Sequence, residues 1–157
     1  MVRSRKAWLS ERFWSQVKAS VPIACVDVIV SDSRGAILLG WRRIRPYINV
    51  WALPGGRIHL REDISTAARR SLTAQGIHAE DFFLVGVFPI SFPTRFDISI
   101  CIAARHFSGN ARPDGTEFKR IGWFKSLPRE TGQNYRKMIA RWRKMRRMPQ
   151  LVKFNRF

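Results

Sequence analysis

A change of hydrophobic period near residue 62 constrains this chain more than any other feature. Upstream, Tyr47 to Leu53 reads as a strand ended by Pro54-Gly55-Gly56, and Arg57 to Leu60 continues extended. Downstream, from Glu62 to Gln75, the apolar or small residues Ile64, Ala67, Ala68, Ser71 and Leu72 recur at steps of three and four, and Gly76 stops the run. A strand, a glycine loop and a helix in direct succession call for a layered fold in which the helix covers a sheet.

The remaining segments extend that pattern. Ala7 to Lys18 spaces Trp8, Leu9, Phe13, Trp14 and Val17 as an amphipathic helix ahead of Pro22. Ile23 to Val30 and Ala36 to Trp41 read as a hairpin about Ser31-Asp32-Ser33-Arg34-Gly35. Phe82 to Phe88, Phe96 to Ala104 and Arg120 to Phe124 read as strands, separated by Pro89, Pro93, Gly109, Pro113 and Gly115. Asn134 to Met148 reads as a basic amphipathic helix with Tyr135, Met138, Ile139, Trp142 and Met145 in one stripe. With no internal repeat or linker, residues 1–157 read as one mixed domain of the α/β (α+β) class.

Composition excludes several classes. With 45% hydrophobic residues, six Trp and eleven Phe, the chain has enough apolar surface to offset its conformational entropy, which excludes disorder over most of its length. Cys25 and Cys101 lie in apolar runs and read as buried thiols, as expected of a reduced, cytoplasmic chain. No apolar run is long enough to span a bilayer, and the charged N-terminal segment does not read as a signal peptide.

Charge points to the partner. Lys and Arg number 29 against 11 Asp and Glu, a formal net charge of +18, so the chain attracts phosphorylated ligands, nucleic acid or acidic lipid. Arg129 to Phe157 holds ten of the basic residues and one acid. Its helix reads either as a nucleic-acid contact or as an element whose apolar stripe packs inward while its charges face water.

The chemistry concentrates in Trp51-Ala-Leu-Pro-Gly-Gly-Arg-Ile58, with Glu62 six residues after Gly56 and Arg70 eight residues after Glu62. This spacing resembles the Nudix box, the loop-helix-loop that holds a divalent metal against a diphosphate. Together with Val26-Asp27-Val28-Ile29-Val30, Asp32-Ser33-Arg34-Gly35 and Leu38-Leu39-Gly40-Trp41-Arg42, it is most similar to the GDP-mannose mannosyl hydrolases of that family. The resemblance implies a Nudix fold, a mixed sheet between helices, and hydrolysis of a nucleoside diphosphate sugar by attack at the sugar carbon. It also implies Mg2+ or Mn2+ held by the Gly56 carbonyl, Gln75 and Glu117. Arg42 and Arg57 would contact the diphosphate, Arg70 and Glu117 would serve catalysis, and Asp27 would lie near the sugar. The N-terminal aromatics Trp8, Phe13 and Trp14 would build a homodimer.

The departures from the pattern are chemical. Ser71, Ala74 and Gln75 stand where the family places its three helix glutamates, and Phe118 falls where the subgroup has its general-base histidine. His59, His78 and His106 lie elsewhere. A domain that binds nucleotide or RNA without turnover is therefore the alternative. Residue by residue, plainer readings also stand: Glu62 as a helix-terminal charge, Arg42, Arg57 and Arg70 as surface cations, and Glu117 as a loop carboxylate. Asp27, inside an apolar strand, either meets an arginine or opens onto a pocket.

Overall fold

A computed structural model describes residues 9–148. In chain order the elements are α1 (Glu11–Ser20), β1 (Ile23–Ile29), β2 (Ile37–Arg42), β3 (Trp51–Ala52), β4 (Gly55–Arg57) and α2 (Ile64–Ala74). They continue with β5 (Ile77–His78), β6 (Phe82–Phe92), β7 (Arg95–Ala104), β8 (Ser108–Gly109), β9 (Phe118–Phe124) and α3 (Gln133–Arg146).

Four strands form a mixed sheet in the order β4-β1-β7-β6, with β1 parallel to β7 and the other pairs antiparallel. A second, antiparallel sheet runs β3-β2-β9, and β5 pairs with β8. Successive strand residues point to opposite faces, and here they enter two separate cores. Val26, Val28, Val30 and Leu38 join Ala67, Ala68 and Leu72 of α2, whereas Ile29, Ile37 and Leu39 join Met138, Ile139 and Trp142 of α3. The sheets thus lie between α2 and α3, the expected mixed α+β arrangement.

Several local expectations change. The segments 23–30 and 36–41 share a hairpin-like tip, closed by the Ser31–Ile37 bridge and the Leu38 N–H to Val30 carbonyl bond. Beyond it the strands part into different sheets, because β1 takes β7 as its neighbour over seven residues. The strand expected over Tyr47 to Leu53 shrinks to Trp51–Ala52, because residues 43–50 form a loop closed by the Asn49 N–H to Arg42 carbonyl bond, with Asn49 at φ 56°. Pro89 does not end its strand. It sits inside β6, an edge strand of the four-stranded sheet, where a missing N–H is tolerated.

Caps set the helix ends. Ser10 accepts from the Phe13 N–H and α1 begins at Glu11; Ala7 and Trp8 of the expected helix lie outside the described residues. Asp63 accepts from the Thr66 N–H, so α2 starts at Ile64 and leaves Glu62 in the preceding loop.

Candidate active site

The alternation that fills the cores also builds the site. On β1, Cys25 and Asp27 share the face of Ile29, and the parallel register sets Cys25 opposite Ser99 and Asp27 opposite Cys101 on β7. Asp97 and Ser99 therefore stand beside Cys25 and Asp27, a polar end to an otherwise apolar face. There a cleft of about 380 Å³ opens between this face, the loop after β2, and β4. Asp27, Arg42, Gly56, Arg57, Arg70 and Glu117 all line it, so six of the seven expected site residues meet in one place.

The seventh does not. Gln75 is buried at the C-terminal cap of α2, outside the cleft lining, and its Oε1 meets no hydrogen-bond donor among the described residues. Phe118, where the histidine base was sought, is fully buried in the α3 core, its ring lying over Gly40.

Asp27 answers the question its sequence position posed: it opens onto the cleft, and its carboxylate accepts the Ser99 hydroxyl. Burial pushes its carboxyl up to about 6, against the lowering effect of the Ser99 bond and the Arg42 charge. Glu117 accepts from Arg42 Nη1, yet burial still raises its carboxyl above the ordinary range. Arg42 is held further through Nε to the Tyr47 carbonyl (3.1 Å), which ties the loop after β2 to the strand. Beside them Arg95 makes a two-point pair with Asp97 (2.5 and 2.6 Å), and burial pushes the Cys25 thiol up to about 12, which keeps it un-ionised.

Glu62 and Arg70 organise the glycine loop. Arg70 Nε and Nη2 donate to the two Glu62 oxygens (2.7 and 2.9 Å), Nη2 also donates to the Arg57 carbonyl (2.8 Å), and the His59 N–H donates to Glu62 (2.8 Å). The Arg70 bond holds the Glu62 carboxyl below its usual range. Both ends of the loop between β4 and α2 are thereby fixed. Glu62→Ala is expected to destabilise the fold by roughly 1–2 kcal/mol, discounted for the partial exposure of Arg70. Urea denaturation measures this, and Glu62→Gln, which keeps an acceptor for the His59 N–H, is expected to cost less.

The resemblance implies a divalent metal, which raises whether this cleft fits one. Glu117 is paired with Arg42, Glu62 with Arg70 and Asp97 with Arg95, and Gln75 does not line the cleft. Among the described residues no group of three or more His, Cys, Asp or Glu is placed to share a cation. The residues present do not fit the family's metal set, since a hard cation needs several free oxygen ligands.

Comparison with known proteins decides the family. A model of the NUDIX domain matches residues 21–141. The chain belongs to the Nudix family. A MutT NUDIX hydrolase from Burkholderia pseudomallei superposes with TM-score 0.72 at 23% identity, covering 78% of this chain and 98% of that one. The NUDIX domain of Shewanella oneidensis NrtR, solved with ADP ribose, gives TM-score 0.67 at 15% identity over 87% and 99% of the two chains. Both share the fold. The low-salt glycan biosynthesis protein Agl8 of Haloferax volcanii is 33% identical over 57 residues, only 36% of each chain.

Sequence reasoning missed Ser99, Asp97 and Arg95, which enter through the non-local β1–β7 pairing. It also missed Arg45 and Tyr47 of the loop after β2, and Trp14 of α1, whose ring lies 4.3 Å from the Arg57 guanidinium. Trp14 therefore serves the cleft, while Phe13 is 53% exposed and Trp8 lies outside the described residues. On α3, Arg136, Arg141 and Arg143 donate to backbone carbonyls of Thr131, Val85 and Lys125. Much of this helix's charge is thus engaged in holding its own fold. No helix among the described residues is long and apolar enough to cross a membrane.

Proposed function

We propose that this Nudix protein is a cytoplasmic hydrolase of a nucleoside diphosphate sugar of the GDP-mannose kind. The observation that carries this reading is the cleft itself, which sets Arg42, Arg45, Arg57, Arg70 and Arg95 around a buried carboxylate, Asp27. Guanidiniums match the oxygens of a diphosphate, and a carboxylate suits a sugar hydroxyl or an attacking water. Two comparisons point the same way: a neighbour in fold carries ADP ribose, itself a nucleoside diphosphate sugar, and the partial relative is named for glycan biosynthesis.

In the proposed reaction water attacks the sugar carbon, the bond to the diphosphate oxygen breaks, and its electron pair leaves with the diphosphate. The water proton passes to Asp27, which is ionised above about pH 6. Arginine charge stabilises the departing diphosphate. Arg70, committed to Glu62 and the Arg57 carbonyl, positions the loop, and Arg42 holds Glu117 at the cleft wall.

Incubation with a panel of nucleotide sugars in 18O-labelled water, followed by mass spectrometry, tests this. The expected products are a nucleoside diphosphate and a sugar carrying the label. Label in the phosphate instead, or no turnover of any panel member, contradicts it. That no metal-ligand cluster occurs among the described residues favours a second reading, a domain that binds the same ligand and releases it intact. Binding without products is its signature.

A further inference from the structure

Resting on the reading that the cleft takes a nucleoside diphosphate, we propose that it holds the diphosphate without a divalent cation, on Arg45 and Arg57. Of the five arginines that line the cleft, Arg42, Arg70 and Arg95 are each committed to a carboxylate. Arg45 and Arg57 make no ion pair among the described residues. A diphosphate esterified at both ends carries two negative charges, and these two guanidiniums supply two positive ones.

The Arg57 guanidinium and the Arg45 backbone are each anchored by groups other than carboxylates. The Arg57 guanidinium lies over the Trp14 ring, and its backbone carbonyl accepts from Arg70. Arg45 is exposed, and its carbonyl accepts from Arg42 Nη2 (3.5 Å), so the ion pair of Arg42 with Glu117 also tethers the loop that presents Arg45. The same pairing explains why a cation adds nothing. To coordinate Glu117 or Glu62 it would first have to displace a guanidinium already bonded to that carboxylate, and Asp27 already accepts from Ser99. In this chain arginine takes the place of metal at the phosphates.

Calorimetric titration of the full chain with GDP-mannose, ADP ribose and inorganic pyrophosphate, in EDTA and in millimolar Mg2+, tests the proposal. The expected affinity is the same in both buffers within about twofold, or weaker in Mg2+, which competes for the phosphate oxygens. Arg45→Ala and Arg57→Ala are each expected to weaken binding about tenfold or more in EDTA, with Lys replacements recovering part of the loss. Arg45→Ala lies on an exposed loop and leaves the fold intact, which separates lost binding from lost structure. Binding that tightens tenfold or more with Mg2+, or that ignores both arginines, overturns cation-free binding and leaves the nucleotide reading standing. No binding of any probe in either buffer overturns the nucleotide reading as well.

Discussion

Asp27→Asn is expected to abolish turnover while making the protein more stable at neutral pH. Burial raises the Asp27 carboxyl from 3.8 to about 6, so the folded state holds this proton more tightly than the unfolded chain does. A group raised in this way contributes stability at pH below about 4, and that contribution is lost as pH climbs through about 6. The full shift corresponds to roughly 2–3 kcal/mol. Asparagine mimics the protonated acid and keeps an acceptor for the Ser99 hydroxyl. Its stability curve should therefore meet that of the native chain near pH 4 and lie above it by about that amount at pH 7. Turnover by the native chain should rise through about pH 6 and level off, as ionised Asp27 becomes available to take a proton. Chemical denaturation across pH, with the pH–rate profile of each protein, measures both effects. Equal stability at pH 7, or residual activity in the variant, removes Asp27 from its assigned role.

The second large effect divides the two adjacent glycines. A Cβ on Gly55 would lie 2.4 Å from the Val26 carbonyl oxygen and 2.6 Å from Asp27 Oδ1, and the first of these is backbone that cannot turn aside. Gly55→Ala must therefore push β4 away from β1 at the residue paired with Asp27, costing roughly 2–3 kcal/mol and displacing the carboxylate. A Cβ on Gly56 would meet only Ser71 Oγ at 3.9 Å, an ordinary contact, so Gly56→Ala is expected to change stability by less than about 1 kcal/mol. Thermal denaturation of the two variants decides it. The sequence presents these residues as an equivalent pair, and although both pair with β1, only the Cβ of Gly55 would project into β1 atoms.

That contrast shows where legibility ends. The strand-loop-helix unit of β4 and α2 is visible in local spacing, because a period of 3.6 and a terminal glycine lie within one continuous segment. The Asp27 environment is not, because Ser99 and Asp97 come from a strand seventy residues away, and parallel pairing leaves no local mark. Residues 47–50, expected in a strand, misled for the opposite reason. Tyr47, Ile48 and Val50 favour strands, yet they belong to the loop that sets Tyr47 and Arg45 at the cleft. The missing helix glutamates were plain in the sequence. Their consequence was not, because only the structure shows Glu62, Asp97 and Glu117 already bonded to arginines and Asp27 to Ser99.

The same pairing gives the arginines distinct duties that composition could not separate. Arg42 and Arg70 fasten loops to strands, Arg95 neutralises Asp97, and Arg45 and Arg57 make no ion pair among the described residues. On α3, guanidiniums of the same chemistry bind main-chain carbonyls. A net charge of +18 therefore overstates what is free to meet an anion.

The most direct test of the central claim is calorimetric titration of the native chain with GDP-mannose, with product analysis of the same samples. Saturable binding accompanied by release of mannose and GDP is the predicted result. Neither heat nor products with this ligand or its nucleotide-sugar relatives would contradict the assignment of the cleft and leave only the Nudix fold.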